Sequence, residues 1–544
     1  MTPRPAAWLG GCSAALALAA CAAAVPNASG APAQPAIPAR EAVVRVGAFS
    51  VVRALAVASN RAFLVGDGGV AIYDRLRRSW TPPISLEAPR ALAPGSRTLA
   101  ATNLIGDVAW VAGEGRVVVV NAGMRATFAT PYIGAARTIR VDRGGANAYV
   151  LADQWWEVST AGSARPISAA ELPPRERLAD PADASDPAVR RAIDDPLLTR
   201  DAALRSWPVL AAARGATSSD VWLGTAGGGV FHVDPDFHRS EQLPFGLQTG
   251  YVVALARTAD GVVIAEGVPA RLGAGVQSAI TEGSDDLARW RWAAISAQVG
   301  DVRAIAMRGR SLCVAGMNGA GMVELPRDDA GALPATTVHV EPTPAAAVAV
   351  SRDGCVVGTQ SSVTVIPWPD EGGAPRELRR SEQLPPVNAV ASAGDTTWAG
   401  TRDGLVVLVG GHVARVERPF PASSEIVALA LVADGVAAAS ASEVAVVGSG
   451  TVRRLAIPLA GVGRITALAA DGRTLWIGGT TGVVATVLAS GASAPVSLDA
   501  PGDPSSEPAG GHEVHALVLG AGVAWIGTAA GLVRVRRDAD GLPR

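Results

Sequence analysis

The sequence predicts an all-β protein built of four-stranded β-propeller blades, on three observations. Gly 61 and Pro 38 are spread through 544 residues rich in Ala, Val and Leu, a composition that suits short strands joined by tight turns. A single pattern recurs: apolar strand, short turn, an aromatic or aliphatic residue, one further residue, glycine, a turn and a second apolar strand. Its anchor positions Val314, Val356, Trp398, Ala438, Trp476 and Trp525 fall mostly about 40 residues apart, the length of one blade and of no common helical repeat.

The clearest copies are VWLGTAGGGVFHVD from Val221, TWAGTRDGLVVLV from Thr397, LWIGGTTGVVATV from Leu475 and AWIGTAAGLVRV from Ala524. Weaker copies begin at Phe63, Ala109, Cys313 and Cys355, and degenerate units centre on Tyr149, Val263 and Ala438, which makes eleven. Eleven blades are many for one ring, so two propellers are expected in preference to one. Junctions repeat as well: Arg239-Ser240-Glu241-Gln242-Leu243-Pro244 returns as Arg380-Ser381-Glu382-Gln383-Leu384-Pro385. A twisted sheet with two apolar faces is not stable alone and must stack on neighbours. Trp222, Trp398, Trp476 and Trp525 are therefore assigned to packing between blades, and Gly224, Gly400, Gly478 and Gly527 to relief of crowding near the bend between strands. The last unit ends without an outer strand, and the apolar stretch Ala42 to Val46 is expected to supply it.

The chain begins with an export signal at 1–20: Arg4, then an apolar stretch from Ala6 to Ala20 too short for an ordinary membrane span. Leu18-Ala19-Ala20-Cys21 resembles the lipobox of bacterial lipoproteins, which makes Cys21 the expected lipidation site; a simple secretory signal cut near Ala22 to Ala24 is the alternative. Residues 21–40 then read as an Ala/Pro-rich tether, 41–535 as propeller repeats interrupted at 167–207, and 536–544 as a C-terminal tail. With no acidic residue just after Cys21, the expected location is the cell envelope, at the outer membrane. In the interruption, Asp186-Pro187 reads as the cap and first turn of a short helix through Ala188 to Ile193.

A net charge of −2 provides no field to draw nucleic acid, and the only membrane attachment expected is the N-terminal lipid. The 47 basic residues are all arginine. Cys313 and Cys355 precede the anchors of adjacent units and so read as equivalent positions in stacked blades, about 10 Å apart; two buried free thiols are expected.

The copies at Trp222, Trp398 and Trp525 resemble the two-component regulator propeller repeat, with its Trp-Ile-Gly-Thr-like strand, Gly-Leu turn and following strand ending near Asp. The resemblance covers most of residues 50 to 535. It implies a propeller that recognises carbohydrate or another ligand, as in periplasmic sensors of membrane kinases. No transmembrane helix, linker sandwich or kinase region is read here, so phosphorylation signalling is not expected to come with the repeats.

Little in the sequence suggests catalysis, and no cofactor is expected. His512-Glu513-Val514-His515 lacks the spacing of a helical zinc motif and reads as strand, which sends residues three apart to opposite faces. His232 and His238 flank a repeat-determined turn. No phosphate-binding loop, ordered Ser-His-Asp set or carboxylate pair stands out. The innermost strands share apolar, variable, Ala, apolar, and the variable residue is expected at the channel mouth. Arg53, Arg303, Asn388, Thr466 and His515 are accordingly the ligand-binding candidates, with solvated channel lining as the competing assignment. The expected function is an envelope-anchored binding or assembly scaffold recognising a protein or glycan. The alternatives are a polysaccharide hydrolase or lyase, and a sensor that relays ligand state to a separate membrane protein.

Overall fold

The computed structural model describes residues 42–544 except 87–97, 114, 180–185, 202–203, 216, 218, 268–278, 295–298, 326–336, 342, 369–375, 378–383, 421–424 and 499–512. The expected signal peptide, Cys21 and tether lie outside the described residues, as do Arg380 to Gln383 of the second junction copy.

Among the described residues, eleven antiparallel sheets, ten of four strands and one of five, follow one another along the chain, as the repeats predict. They are numbered here in chain order by the span of their strands: sheet 1 (52–84), 2 (99–129), 3 (138–179), 4 (209–243), 5 (252–294), 6 (302–341), 7 (345–377), 8 (387–417), 9 (428–454), 10 (465–496) and 11 (514–536). The outer strand of sheet 11 is Val43–Val46, which pairs with Gly531–Arg536 in the register Val43 with Val535 through Val46 with Leu532. The missing fourth strand thus comes from the other end of the folded chain, where the apolar run preceding the first unit placed it.

The sheets form two sets. The innermost strands of sheets 5 to 11 pack in sequence, and that of sheet 11 packs back on that of sheet 5, closing a ring of seven. Sheets 4, 1, 2 and 3 pack in that spatial order as a second set of four. This set is inserted between the outer strand of sheet 11 and the first strand of sheet 5, so the chain crosses between sets twice, at 47–51 and 244–251. The two crossings pair in parallel at Ala48 and Leu247, with Phe49 N donating to Leu247 O (2.9 Å) and Leu247 N to Gly47 O (3.1 Å). Around them Phe49, Tyr73, Trp80, Trp222, Phe245 and Trp290 join both sets in one buried cluster, with Phe49 and Phe245 ring centroids 4.9 Å apart.

The interruption covers the end sheets of the set of four. Helix α1 (Pro187–Asp194) starts at Asp186, whose carboxylate accepts from Ala188 N and Val189 N, as the Asp-Pro pair predicts. Ala188, Val189 and Ala192 pack on Val221, Leu223, Phe231 and Val233 of sheet 4, the face turned away from sheet 1. On sheet 3, Leu172 and Leu178 pack with Tyr149, on the face away from sheet 2.

The motif residues act at sheet boundaries. Trp222, Trp476 and Trp525 are fully buried, whereas Trp398 is half-buried. Thr225, Thr401 and Thr528 close the next turn by donating to Gly229 O, Gly404 O and Gly531 O (2.8–2.9 Å). Gly404 and Gly531 sit in that turn at φ 135° and 132°, in the left-handed half of the map that favours glycine, which accounts for the Gly-Leu element of the repeat. The C-terminal residues pack on sheet 10: Arg537 lies over the Trp476 ring, pairs with Asp471 and donates to Thr474 Oγ1, and Trp476 Nε1 donates to Gly541 O.

One expectation is overturned. Cys313 and Cys355 form a disulfide with Cα atoms 5.9 Å apart, where free thiols were expected. Strand pairing gives the reason. Val302 opposes Gly316 and Ala345 opposes Thr359, so Gly316 matches Thr359, and Cys313 matches Val356 rather than Cys355. The repeat alignment of sheet 6 was one residue out. A one-residue shift turns a strand side chain to the other face: Cys313 points toward sheet 7, Cys355 points back toward sheet 6, and the two meet in one buried cluster. Cys313 thereby stands where Trp398 stands in sheet 8.

Two predictions follow from these boundaries. Replacing both cysteines by alanine should lower stability by about 2–4 kcal/mol, the usual range for opening a loop of this size, and thiol titration of the unfolded, unreduced protein should find neither Cys313 nor Cys355 free. For Asp471, burial alone would raise the carboxyl pKa, but the Arg537 hydrogen bond and the Thr474 and Arg473 N–H groups hold it down to about 2. Its stabilisation should be fully present above the unfolded carboxyl pKa near 3.9 and fade as pH falls toward about 2; Asp471→Asn should flatten that limb of a Tm-versus-pH curve.

Candidate ligand sites at the ring centre and between the two sets

The sequence candidates share one backbone feature. Among the described residues, eight innermost strands carry a β-bulge after their first residue, and Arg53, Arg303, Asn388, Thr466 and His515 each occupy the extra position. A bulge re-aims the side chain of its unpaired residue. Arg303, Asn388, Thr466 and His515 belong to the ring of seven. Arg53 belongs to sheet 1 in the other set, where its Nε donates to Asp67 (2.7 Å). One channel therefore does not hold all five, because the same repeat builds both sets.

Three of the ring residues reach across to the next sheet. His515 Nδ1–H donates to Val252 O (2.8 Å), Thr466 Oγ1 to Val514 O, and Asn388 Nδ2 to Ile426 O (3.2 Å) and Glu425 Oε1 (3.3 Å). The accepting residue also fills the space left by the motif glycine. A Cβ on Gly527 would lie 2.3 Å from Val252 Cγ1, one on Gly478 2.5 Å from Val514 Cγ1, and one on Gly400 2.7 Å from Ile426 Cγ2. The glycines thus make room for the neighbouring blade rather than for their own bend. Arg303 is exposed.

A cleft of about 850 Å³, which the sequence did not reveal, opens between the two sets. One wall carries Tyr73, Arg78 and Trp80 of sheet 1 and Glu241 and Gln242 of sheet 4; the other carries Asp260, Glu282, Arg289, Trp290 and Arg291 of sheet 5. Arg200 and Asp201, from the segment after α1, complete it. Salt bridges line it at Arg78–Glu241 (2.7 Å), Arg289–Asp260 (3.0 Å) and Arg291–Glu282 (3.1 Å). Its aromatic rings are buried in the wall, and Trp80 N donates to Ala288 O across the base (3.0 Å).

Glu266 stiffens this junction. It takes the place of the motif threonine in sheet 5, is fully buried, and accepts from Gln248 N (3.1 Å), Thr249 N (2.6 Å) and Thr281 Oγ1 (2.5 Å). Burial pushes its carboxyl pKa up against those hydrogen bonds. Its partners belong to the second crossing and its own sheet, which makes it a brace for the crossing. The wall of sheet 4 is braced at Asp220: burial opposes ionisation there, but His232, Arg75 of sheet 1 and Trp222 hold the carboxyl well below its ordinary range.

If His515 works as a blade-to-blade link, His515→Ala should cost about 1–2 kcal/mol of stability. Asn should restore much of it, as a shorter donor of the kind Asn388 supplies between sheets 8 and 9. Thermal denaturation of the three proteins distinguishes this from a purely ligand-facing role, which would leave Tm unchanged.

No family model and no curated protein matches this sequence. Solved structures with similar architecture include PorZ, a surface component of the type-IX secretion system of Porphyromonas gingivalis (14% identity over 89% of this chain and 68% of that one, TM-score 0.43). A virginiamycin B lyase from Staphylococcus aureus matches with 12% identity over 52% and 94% of the chains (TM-score 0.41). The extracellular domain of a one-component system from B. thetaiotaomicron matches with 10% identity over 89% and 69% (TM-score 0.36). At these identities none of their properties is carried to this chain.

Proposed function

We propose that this protein is an envelope-anchored binding scaffold that holds a protein or glycan ligand in the cleft between the ring of seven sheets and the set of four. The cleft carries this reading. It is large enough for a small ligand or an inserted loop, presents hydrogen-bonding groups of both signs, and has walls from two bodies braced at two crossings. Rigid walls lower the ordering cost of binding. By contrast, Asn388, Thr466 and His515 are committed to inter-sheet bonds, leaving Arg303 as the exposed sequence candidate at the ring centre.

Export is supported by the Cys313–Cys355 disulfide, since disulfides persist in oxidising compartments. Anchoring at Cys21 and placement at the outer membrane are part of the same proposal. Binding without turnover is the reading favoured over hydrolysis or lysis.

The mature chain should be screened for thermal stabilisation by envelope glycans and oligopeptides. For the best hit, an Arg78→Ala/Arg289→Ala protein should bind at least tenfold more weakly, in keeping with roughly 1.5–3 kcal/mol for a hydrogen bond to a charged group. Arg303→Ala should bind as the parent does. Loss with Arg303→Ala alone would move the site to the ring centre, and release of product would replace the scaffold by an enzyme. Separately, Cys21→Ser should shift the protein from the membrane fraction to the soluble one.

A further inference from the structure

We propose that one rim of the set of four sheets is a membrane-contacting face, seated on the bilayer that holds the N-terminal lipid. The inference rests on the lipoprotein reading for which bilayer is meant, and on the structure for which face. In any four-stranded up-and-down sheet, the turns after the first and third strands lie at the same end. At that end of sheets 4, 1 and 2 stand Phe237 (71% exposed), Leu76 (76%), Met124 (61%), Leu104 (56%) and Ile105 (57%). Phe237, Leu76 and Met124 are each in the turn after the third strand of their sheet, and Leu104 and Ile105 are in the first turn of sheet 2.

Neighbouring contacts hold these tips in one surface. Ser59 N donates to Leu104 O (3.2 Å) from the first turn of sheet 1, and Arg75 N donates to Asn60 O (2.9 Å) beside Leu76. The Arg75–Asp220 pair joins that turn to sheet 4, and His238 beside Phe237 contacts Asp195 after α1 (2.9 Å). The tips are also fixed: Asp74 Oδ1 accepts from Leu76 N and Arg77 N, Asn121 Oδ1 from Met124 N, and Asp234 Oδ1 from Phe237 N. Large apolar side chains on rigid, separate hairpin tips form projections, not a groove, and so suit a soft apolar layer better than a folded partner. Arg77 and Arg239 stand beside Leu76 and Phe237, where headgroup phosphates would lie.

The chain enters the folded body at the same end. Ala42 O accepts from Arg536 N at the close of the third strand of sheet 11, and sheet 11 packs on sheet 5, whose equivalent turn meets sheet 1 through Trp80 N and Ala288 O. From Cys21 to that point there are about 20 residues, a reach of up to roughly 60 Å at about 3.1 Å each. That is ample for the rim to rest on the lipid surface.

The test makes rim contact independent of lipidation. The mature chain, with a hexahistidine tag replacing Cys21, is captured on vesicles of phosphatidylethanolamine and phosphatidylglycerol (about 3:1) doped with a nickel-chelating lipid. Amide exchange in 74–78, 103–107, 121–125 and 234–238 should slow relative to the free chain, and Leu76→Ser/Met124→Ser/Phe237→Ser should dissociate at least tenfold faster. These tips are exposed, so the variant should keep the parent Tm. Val413→Ser/Val416→Ser, on the exposed outer strand of sheet 8, should behave as the parent. Unchanged exchange at the rim, or equal dissociation of the triple variant and the parent, would overturn the proposal. Mass analysis of the native N-terminus for diacylglyceryl at Cys21 reports on the lipoprotein reading by itself.

Discussion

The fold depends on one contact repeated between blades: an apolar residue at the start of one innermost strand seated over the motif glycine of the blade before it. Val252 on Gly527, Val514 on Gly478, Ile426 on Gly400, Val387 on Gly358 and Val52 on Gly224 all show it, with Cβ-to-methyl distances that would be 2.3–2.7 Å if the glycine were alanine. That spacing excludes any larger residue without movement of the next sheet. It also brings the backbone of the seated residue within reach of the bulged side chain one strand inward. Asn388, Thr466 and His515 use that reach to bond across the boundary. The bulge, the glycine and the seated residue are therefore parts of one joint.

The same joint appears in both sets, since Gly224 and Val52 form it between sheets 4 and 1. What separates the sets is connectivity. The strand Val43–Val46 completes sheet 11 before the chain has entered sheet 1, and the two crossings then run side by side. Pairing the crossings satisfies backbone groups that would otherwise be buried without partners in an aromatic cluster. The interruption has a similar purpose: sheets 3 and 4 each carry an apolar face that no blade covers in the same way as elsewhere, and α1 and the residues before it supply the cover.

Much of this was legible because each blade is specified locally. Strand alternation, a turn glycine and a Trp-x-Gly-Thr core recur with fixed spacing, so the eleven units, the borrowed outer strand and the helix after Asp186 could be read from residues alone. Register was less secure. In sheet 6, Ala315 stands where other units have glycine, and aligning Gly316 with that glycine placed Cys313 on the wrong face. The hairpin itself fixes the position, since Val302 pairs with Gly316 at the same separation as Val387 with Thr401, and aligning on the anchor and glycine alone missed it. That Arg53 and Arg303 lie in different sets was not legible either, as identical joints do not say which set they belong to. The cleft was illegible because its walls come from sheets 1, 4 and 5, brought together by crossings rather than by repeat order.

The joint also bears on where ligands can bind. A propeller centre is open to a ligand only if the side chains that line it are not already holding blades together, and here three of four ring candidates are so held. Removing one to gain a ligand contact would loosen the boundary on which the ring depends. The turns and the inter-set junction are under no such constraint, because their side chains project from hairpins fixed by Asp and Asn caps or line walls braced elsewhere. Sequence can vary there without opening the ring. A centre used in this way for closure is what makes the cleft between the sets and the exposed hairpin rim the surfaces on which the binding and membrane proposals rest.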